Sequence, residues 1–189
     1  MNPSWVTINS KFRLGGDGEH IPILTTVVHP KFLRVALTHD IAVLLLARPS
    51  VNTPATLTFD IYEPGTKVVM RGFGRLDFNA DFADTLREAK GTIAEKSVCN
   101  QADRLDRLFQ DDMICVMGLT TCTLDIGGPL TIVNKEGQEA VVALQSWDSY
   151  LCKGPFGGFT RLSASQDFIK PFLQGDGVCK RPVERPSLH

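Results

Sequence analysis

The stretch Cys122-Thr-Leu-Asp-Ile-Gly-Gly-Pro-Leu130 holds the residues best placed by type and spacing to do chemistry. With Thr121 before it, this stretch offers a thiol, hydroxyls, a carboxylate and a pair of glycines. A hydroxyl or thiol attacks a carbonyl once a base takes its proton, so covalent catalysis needs a nucleophile and a partnered base. Ile126, between the carboxylate and the glycines, has no lone pair to offer. No base is evident for Thr121, Cys122 or Thr123. His39-Asp40 sets an imidazole beside a carboxylate. Alternate side chains of a strand face opposite ways, which argues against a working pair there.

Metal chemistry is not expected. Cys99, Cys115, Cys122, Cys152 and Cys179 form no Cys-x-x-Cys pair, and the histidines are scattered, whereas zinc ligands come in close pairs. No cofactor motif stands out either. The five thiols allow two bridges with one left over, or a set of reduced core cysteines. Spacing alone leaves both open.

The chain has 189 residues, 43% of them apolar and 22% charged, as in an ordinary soluble globular protein. A formal net charge of −1 and the lack of basic runs, apart from Lys180, Arg181 and Arg185, argue against nucleic acid or anionic membrane as partner. The longest apolar run, Ile41 to Ala47, is far short of the roughly 20 residues of a spanning helix. The start, Met-Asn-Pro-Ser-Trp-Val-Thr-Ile, lacks the basic and apolar regions of a signal peptide. Taken literally, that places the protein in the cytosol.

Short apolar runs between turn residues predict an all-β protein. Strands are expected at Ile21–Val28, Ile41–Leu46, Thr66–Arg71, Thr85–Glu95, Leu130–Val133, Ala140–Gln145 and Gly157–Leu162. The continuous run Ile41–Leu46 suits a strand buried on both faces, and Gly91 suggests a bulge or bend. Asn134-Lys-Glu-Gly137 is a hairpin signal. Helices are expected over Ser97–Phe109, capped by Ser97, and Ser165–Leu173, capped by Ser165 and kinked or ended by Pro171. Three spans follow: 1–58 with a Pro-rich linker from Ala47 to Pro64, 59–175, and a tail at 176–189.

Motifs along the chain point further. His39-Asp-Ile-Ala-Val-Leu-Leu-Leu46 resembles the strand carrying the triad aspartate of the trypsin and chymotrypsin family of serine proteases. Val28-His-Pro-Lys-Phe32, Val68-Val-Met-Arg-Gly-Phe-Gly74, Asp112-Met-Ile-Cys115, Ser146-Trp147 and Gly157-Gly-Phe-Thr-Arg-Leu162 follow in that family's order and spacing. Cys122–Leu130 is similar to its nucleophile loop, with Ile126 where the serine stands. The resemblance implies a chymotrypsin-like double β-barrel with Greek-key strands and a C-terminal helix. It also implies bridges Cys99–Cys115 and Cys122–Cys152, each closing a loop of fewer than about 32 residues and stabilising by roughly 3 kcal/mol. The positions of a further family bridge are occupied by Val68 and Ile132, and Cys179 has no mate.

By the same resemblance, Asp40 is the remnant triad aspartate, free to accept a bond from Ser146. Leu124 replaces an oxyanion-hole glycine, and Asp125 is the carboxylate that pairs with a freed amino terminus. Thr120, Ser146, Trp147, Asp148 and Gly157 are remnants of the substrate pocket. The segment with the triad histidine is not in this sequence, so the first barrel is expected to be incomplete. His20, His29 and His39 lie on the wrong segments to replace it.

The reading that follows is a catalytically inactive, N-terminally truncated homologue. It would bind a protein or peptide, be secreted as its family implies, and serve as an inhibitor or decoy. A narrower resemblance is to the glucanase-inhibitor proteins of oomycetes, which implies a host hydrolase as partner. The alternatives are a serine-type endopeptidase with atypical chemistry and a non-functional truncated gene product.

Overall fold

The computed structural model describes residues 3–75, 79–102, 109–119, 125–148 and 156–173. Two β structures sit side by side. The first is a three-stranded sheet in the order β1 (Trp5–Ile8), β2 (Glu19–Val28) and β3 (Ala42–Leu46), antiparallel throughout. The second is a closed barrel of β4 (Lys67–Gly72), β5 (Arg87–Ile93), β6 (Met113–Met117), β9 (Phe156–Arg161), β8 (Glu139–Asp148) and β7 (Pro129–Val133), joined in that order. Helix α1 covers Lys96–Ala102, and α2 covers Gln166–Leu173 after a 3₁₀ turn at Leu162–Ser165. Among the described residues no helix is long and apolar enough to cross a membrane.

The barrel is the better packed part. Alternating residues of its strands point inward, so Val68, Met70, Leu130, Ile132, Val142 and Phe159 meet in one core. The β4–β7 register pairs Val69 with Thr131, and one step further sets Val68 against Ile132, both buried. That pair fills with methyl groups the place the resemblance gives to a bridge. The β7–β8 hairpin turns as expected: the Asn134 side chain accepts the amides of Glu136 and Gln138, and Gly137 takes φ +77°.

Several sequence expectations are corrected. Gly91 makes no bulge, because the β4–β5 register runs evenly through it. A Cβ there would lie 2.7 Å from Val116 Cγ1 and 2.8 Å from the Met117 carbonyl oxygen, so close strand packing explains the glycine. Strand β5 is shorter than Thr85–Glu95, and Thr85 instead makes an isolated bridge to Phe12. Ser97 lies inside α1 rather than capping it. The Ser165 hydroxyl is buried without a partner and caps nothing. Pro171 sits within α2, which continues to Leu173. Strand β3 is not buried on either face: Ala42 is exposed and Val43 to Leu46 are half-buried. The sheet it edges is open, and nothing among the described residues lies beyond it in the sheet order.

The Pro-rich segment between the halves is tied down. Thr58 N–H donates to the Val141 carbonyl at 2.9 Å, and Val141 N–H donates to Thr56 at 2.8 Å. Leu57 and Phe59 pack with Ile41, Leu162 and Ile169, forming a small core where sheet, barrel and α2 meet.

Candidate functional site

Asp40 precedes β3 and Ser146 lies on β8, so their approach depends on the two halves docking. The Ser146 hydroxyl donates to Asp40 Oδ2 at 2.6 Å, as the resemblance implies. A hydrogen bond to a charged group contributes about 1.5–3 kcal/mol. Among the described residues no histidine donates to this carboxylate.

His39 faces elsewhere. Its backbone adopts φ +49°, a costly left-handed conformation for a non-glycine residue. Its N–H donates to the buried Asp112 carboxylate, and its ring stacks on His29 with centroids 4.6 Å apart and planes 9° off parallel. His29 Nδ1 accepts the Lys31 amide at 3.1 Å, so the neutral ring carries its proton on Nε2. Burial first, then the charges of His39 and Lys31, hold the His29 pKa below its ordinary value, while Asp112 opposes them. His20 is remote, packed on Trp5 with ring centroids 4.8 Å apart. None of the three supplies a base to Asp40.

The residue that stands where a nucleophile would be is presented by a tight turn. Gly128 N–H donates to the Asp125 carbonyl at 2.8 Å, and Gly127 takes φ +85°. That geometry favours glycine at the third turn position and turns Ile126 outward, 61% exposed. The Asp125 carboxylate goes the other way, into the barrel wall, where Oδ1 accepts the Gly74 amide at 2.8 Å. A Cβ on Gly72 or Gly74 would come within 2.1 and 2.0 Å of its oxygens, so this pair of glycines forms the cradle. The resemblance pairs Asp125 with a freed amino terminus, whereas here its carboxylate accepts the Gly74 amide; Gly-Phe-Gly after a strand was the available signal for the cradle.

The residues expected as pocket remnants divide. Trp147 is 4% exposed and lies over Gly158, its cross-strand partner, with Phe109 and Phe156 around it. A Cβ on Gly158 would meet the indole at 2.2 Å. Trp147 is therefore a packed aromatic, and Phe109 and Gly158 are the residues sequence reasoning missed. Asp148 accepts from the buried Gln145 amide and pairs with Gly157 across β9. Ser146 and Trp147 are both 4% exposed, so this stretch of β8 is buried against its neighbours. Thr120, Leu124, Cys122 and Cys152, with the bridge expected between the last two, and Cys179 lie outside the described residues. Cys99 and Cys115 form a disulfide, with Cα atoms 6.3 Å apart. Among the described residues no cluster of three or more ligands could hold a metal ion.

An open sheet docked on a six-stranded barrel, with a serine–aspartate hydrogen bond at the junction and a glycine-lined turn beside it, defines a protein of the trypsin-like double-barrel class. The family model described as Trypsin matches residues 3–169, and the chain belongs to that family. Over 184 residues it is 29% identical to Glucanase inhibitor protein 3 of Phytophthora infestans, covering 92% of this chain and 69% of that protein. It is 30% identical over 163 residues to Chymotrypsin-C of Mus musculus, covering 79% and 60%. With Mannan-binding lectin serine protease 1 of Homo sapiens it shares 29% over 178 residues, covering 87% and 25%. The chain thus spans between a quarter and about two thirds of the length of these relatives.

Proposed function

We propose that this chain is a non-catalytic trypsin homologue that acts outside the cell by binding a protein, as an inhibitor or decoy. The observation that carries this reading is Ile126: an aliphatic side chain, exposed on its turn, at the position the family motif gives to the nucleophilic serine. A side chain with no lone pair has no covalent route to an acyl-enzyme. The Cys99–Cys115 disulfide supports an oxidising compartment. The relative named Glucanase inhibitor protein 3 favours a secreted hydrolase as the partner, and a glucanase as the first to try.

The purified protein should release no product from a broad peptide library. Ile126→Ser should not restore cleavage, since no histidine reaches Asp40 among the described residues. In the same preparation it should slow one of a panel of β-glucanases and other secreted hydrolases in a saturable way. Peptide cleavage above a heat-treated control would overturn the non-catalytic reading. A protein that neither retards nor binds any of the panel would sink the hydrolase partner while leaving the first result standing.

A further inference from the structure

We propose that the stacked rings of His29 and His39 form an acid-sensitive latch, whose charging frees helix α2 from the loop between β2 and β3 while the barrel stays closed. The latch joins three parts of the chain. His29 follows β2, and its N–H donates to the Ile41 carbonyl at 3.0 Å. His39 precedes β3, and its N–H donates to Asp112, just before β6. Phe168 of α2 lies against the His29 ring, with centroids 4.7 Å apart. The two imidazoles face each other at 4.6 Å, a separation at which two imidazolium ions repel.

A proton on His29 disturbs its bonding. The neutral ring holds its proton on Nε2, so a second must go to Nδ1, which accepts the Lys31 amide at 3.1 Å. Charging the ring breaks that bond and turns two N–H groups toward each other. His29 is also 7% exposed, so a charge there is poorly hydrated. The charged groups around the pair are Lys31 on the same loop, Asp112 from the barrel side and Asp167 on α2. Of the two carboxylates, Asp112 is engaged by the His39 amide and Asp167 is exposed, where solvent screens it.

Helix α2 is the part that gives way. It buries Ile169 alone among its residues, and Pro171 within it lacks a backbone donor. The Ser165 hydroxyl at its foot is buried without a partner, so opening lets water satisfy a group the closed seat leaves unmet. A cleft of about 450 Å³ already runs between α2 and the loop, with both imidazoles on its wall. The barrel core of Val68, Leu130, Val142 and Phe159 contains none of these residues.

Hydrogen exchange on the 189-residue chain at about pH 7.5 and about pH 5, corrected for the intrinsic effect of pH, tests this. Below about pH 6.5 the open form takes up the proton that the closed form resists, so acid favours opening, by up to about thirtyfold at about pH 5 for one imidazole. Protection of the α2 amides should fall about fivefold or more, and that of β4–β9 by less than about twofold. His39→Asn removes one ring and keeps a residue that tolerates a positive φ, so the fall in α2 should shrink below about twofold. Protection of α2 that ignores pH, a loss shared equally by the barrel, or a His39→Asn variant that behaves like wild type would each overturn the proposal. If His39→Asn does not fold, proton resonances of the wild-type imidazoles decide. The His29 ring must titrate at the pH where α2 opens, and separate midpoints overturn the latch.

Discussion

Ile126 and Asp125 are neighbours in sequence, and the turn sends them in opposite directions: the isoleucine to solvent, the carboxylate onto the Gly74 amide. The cradle can be tested. Gly74→Ala should push Asp125 out and cost about 1–3 kcal/mol in chemical denaturation. Gly16→Ala, where a Cβ meets nothing within 4 Å, should stay within about 0.5 kcal/mol. A second prediction concerns His29. Its folded-state pKa lies below 6.5, so the unfolded chain takes up its proton first as pH falls. Stability should decline as pH drops below about 6.5 toward the lowered value, and His29→Phe should flatten that slope in denaturation midpoints. The Asp40–Ser146 bond was legible in the motifs because both residues stand in matched segments. The His29–His39 stack was not, since it depends on a positive φ at His39 that no local propensity announces.

Most barrel strands were legible as elements, because alternation and turn residues mark them. Strand β6 escaped since Met-Ile-Cys-Val-Met is short and continuously apolar. Strand β1 escaped because it has only four residues. Gly91 was misread because a glycine in a strand signals either a bulge or close approach, and only the facing Val116 and Leu119 decide which. The Val68–Ile132 juxtaposition permits a sharper test. The double variant Val68→Cys, Ile132→Cys should form a bridge without reordering the strands. Closing a loop of about 64 residues, it should stabilise the chain by up to about 4 kcal/mol if unstrained, read as a shift between oxidised and reduced denaturation curves.

The double-barrel class of the whole molecule was legible from motifs in register across both halves. What the sequence could not supply was the packing of β3, in which Ala42 is exposed and Val43 to Leu46 are half-buried. Reducing Cys99–Cys115 should lower stability by about 3 kcal/mol, because it acts on the unfolded chain. The segment joining the halves matters in another way. Its backbone exchanges two hydrogen bonds with Val141, so Thr56–Thr58 behaves as a clasp riveted to the barrel. A protease nicking the exposed stretch between Pro49 and Pro54 would cut the covalent thread only upstream of that clasp. The downstream fragment would keep Leu57 and Phe59, and with them the apolar seat on which Ile41 rests. The upstream fragment would then be held as a bound peptide is held, released by dilution or denaturant rather than by the cut itself.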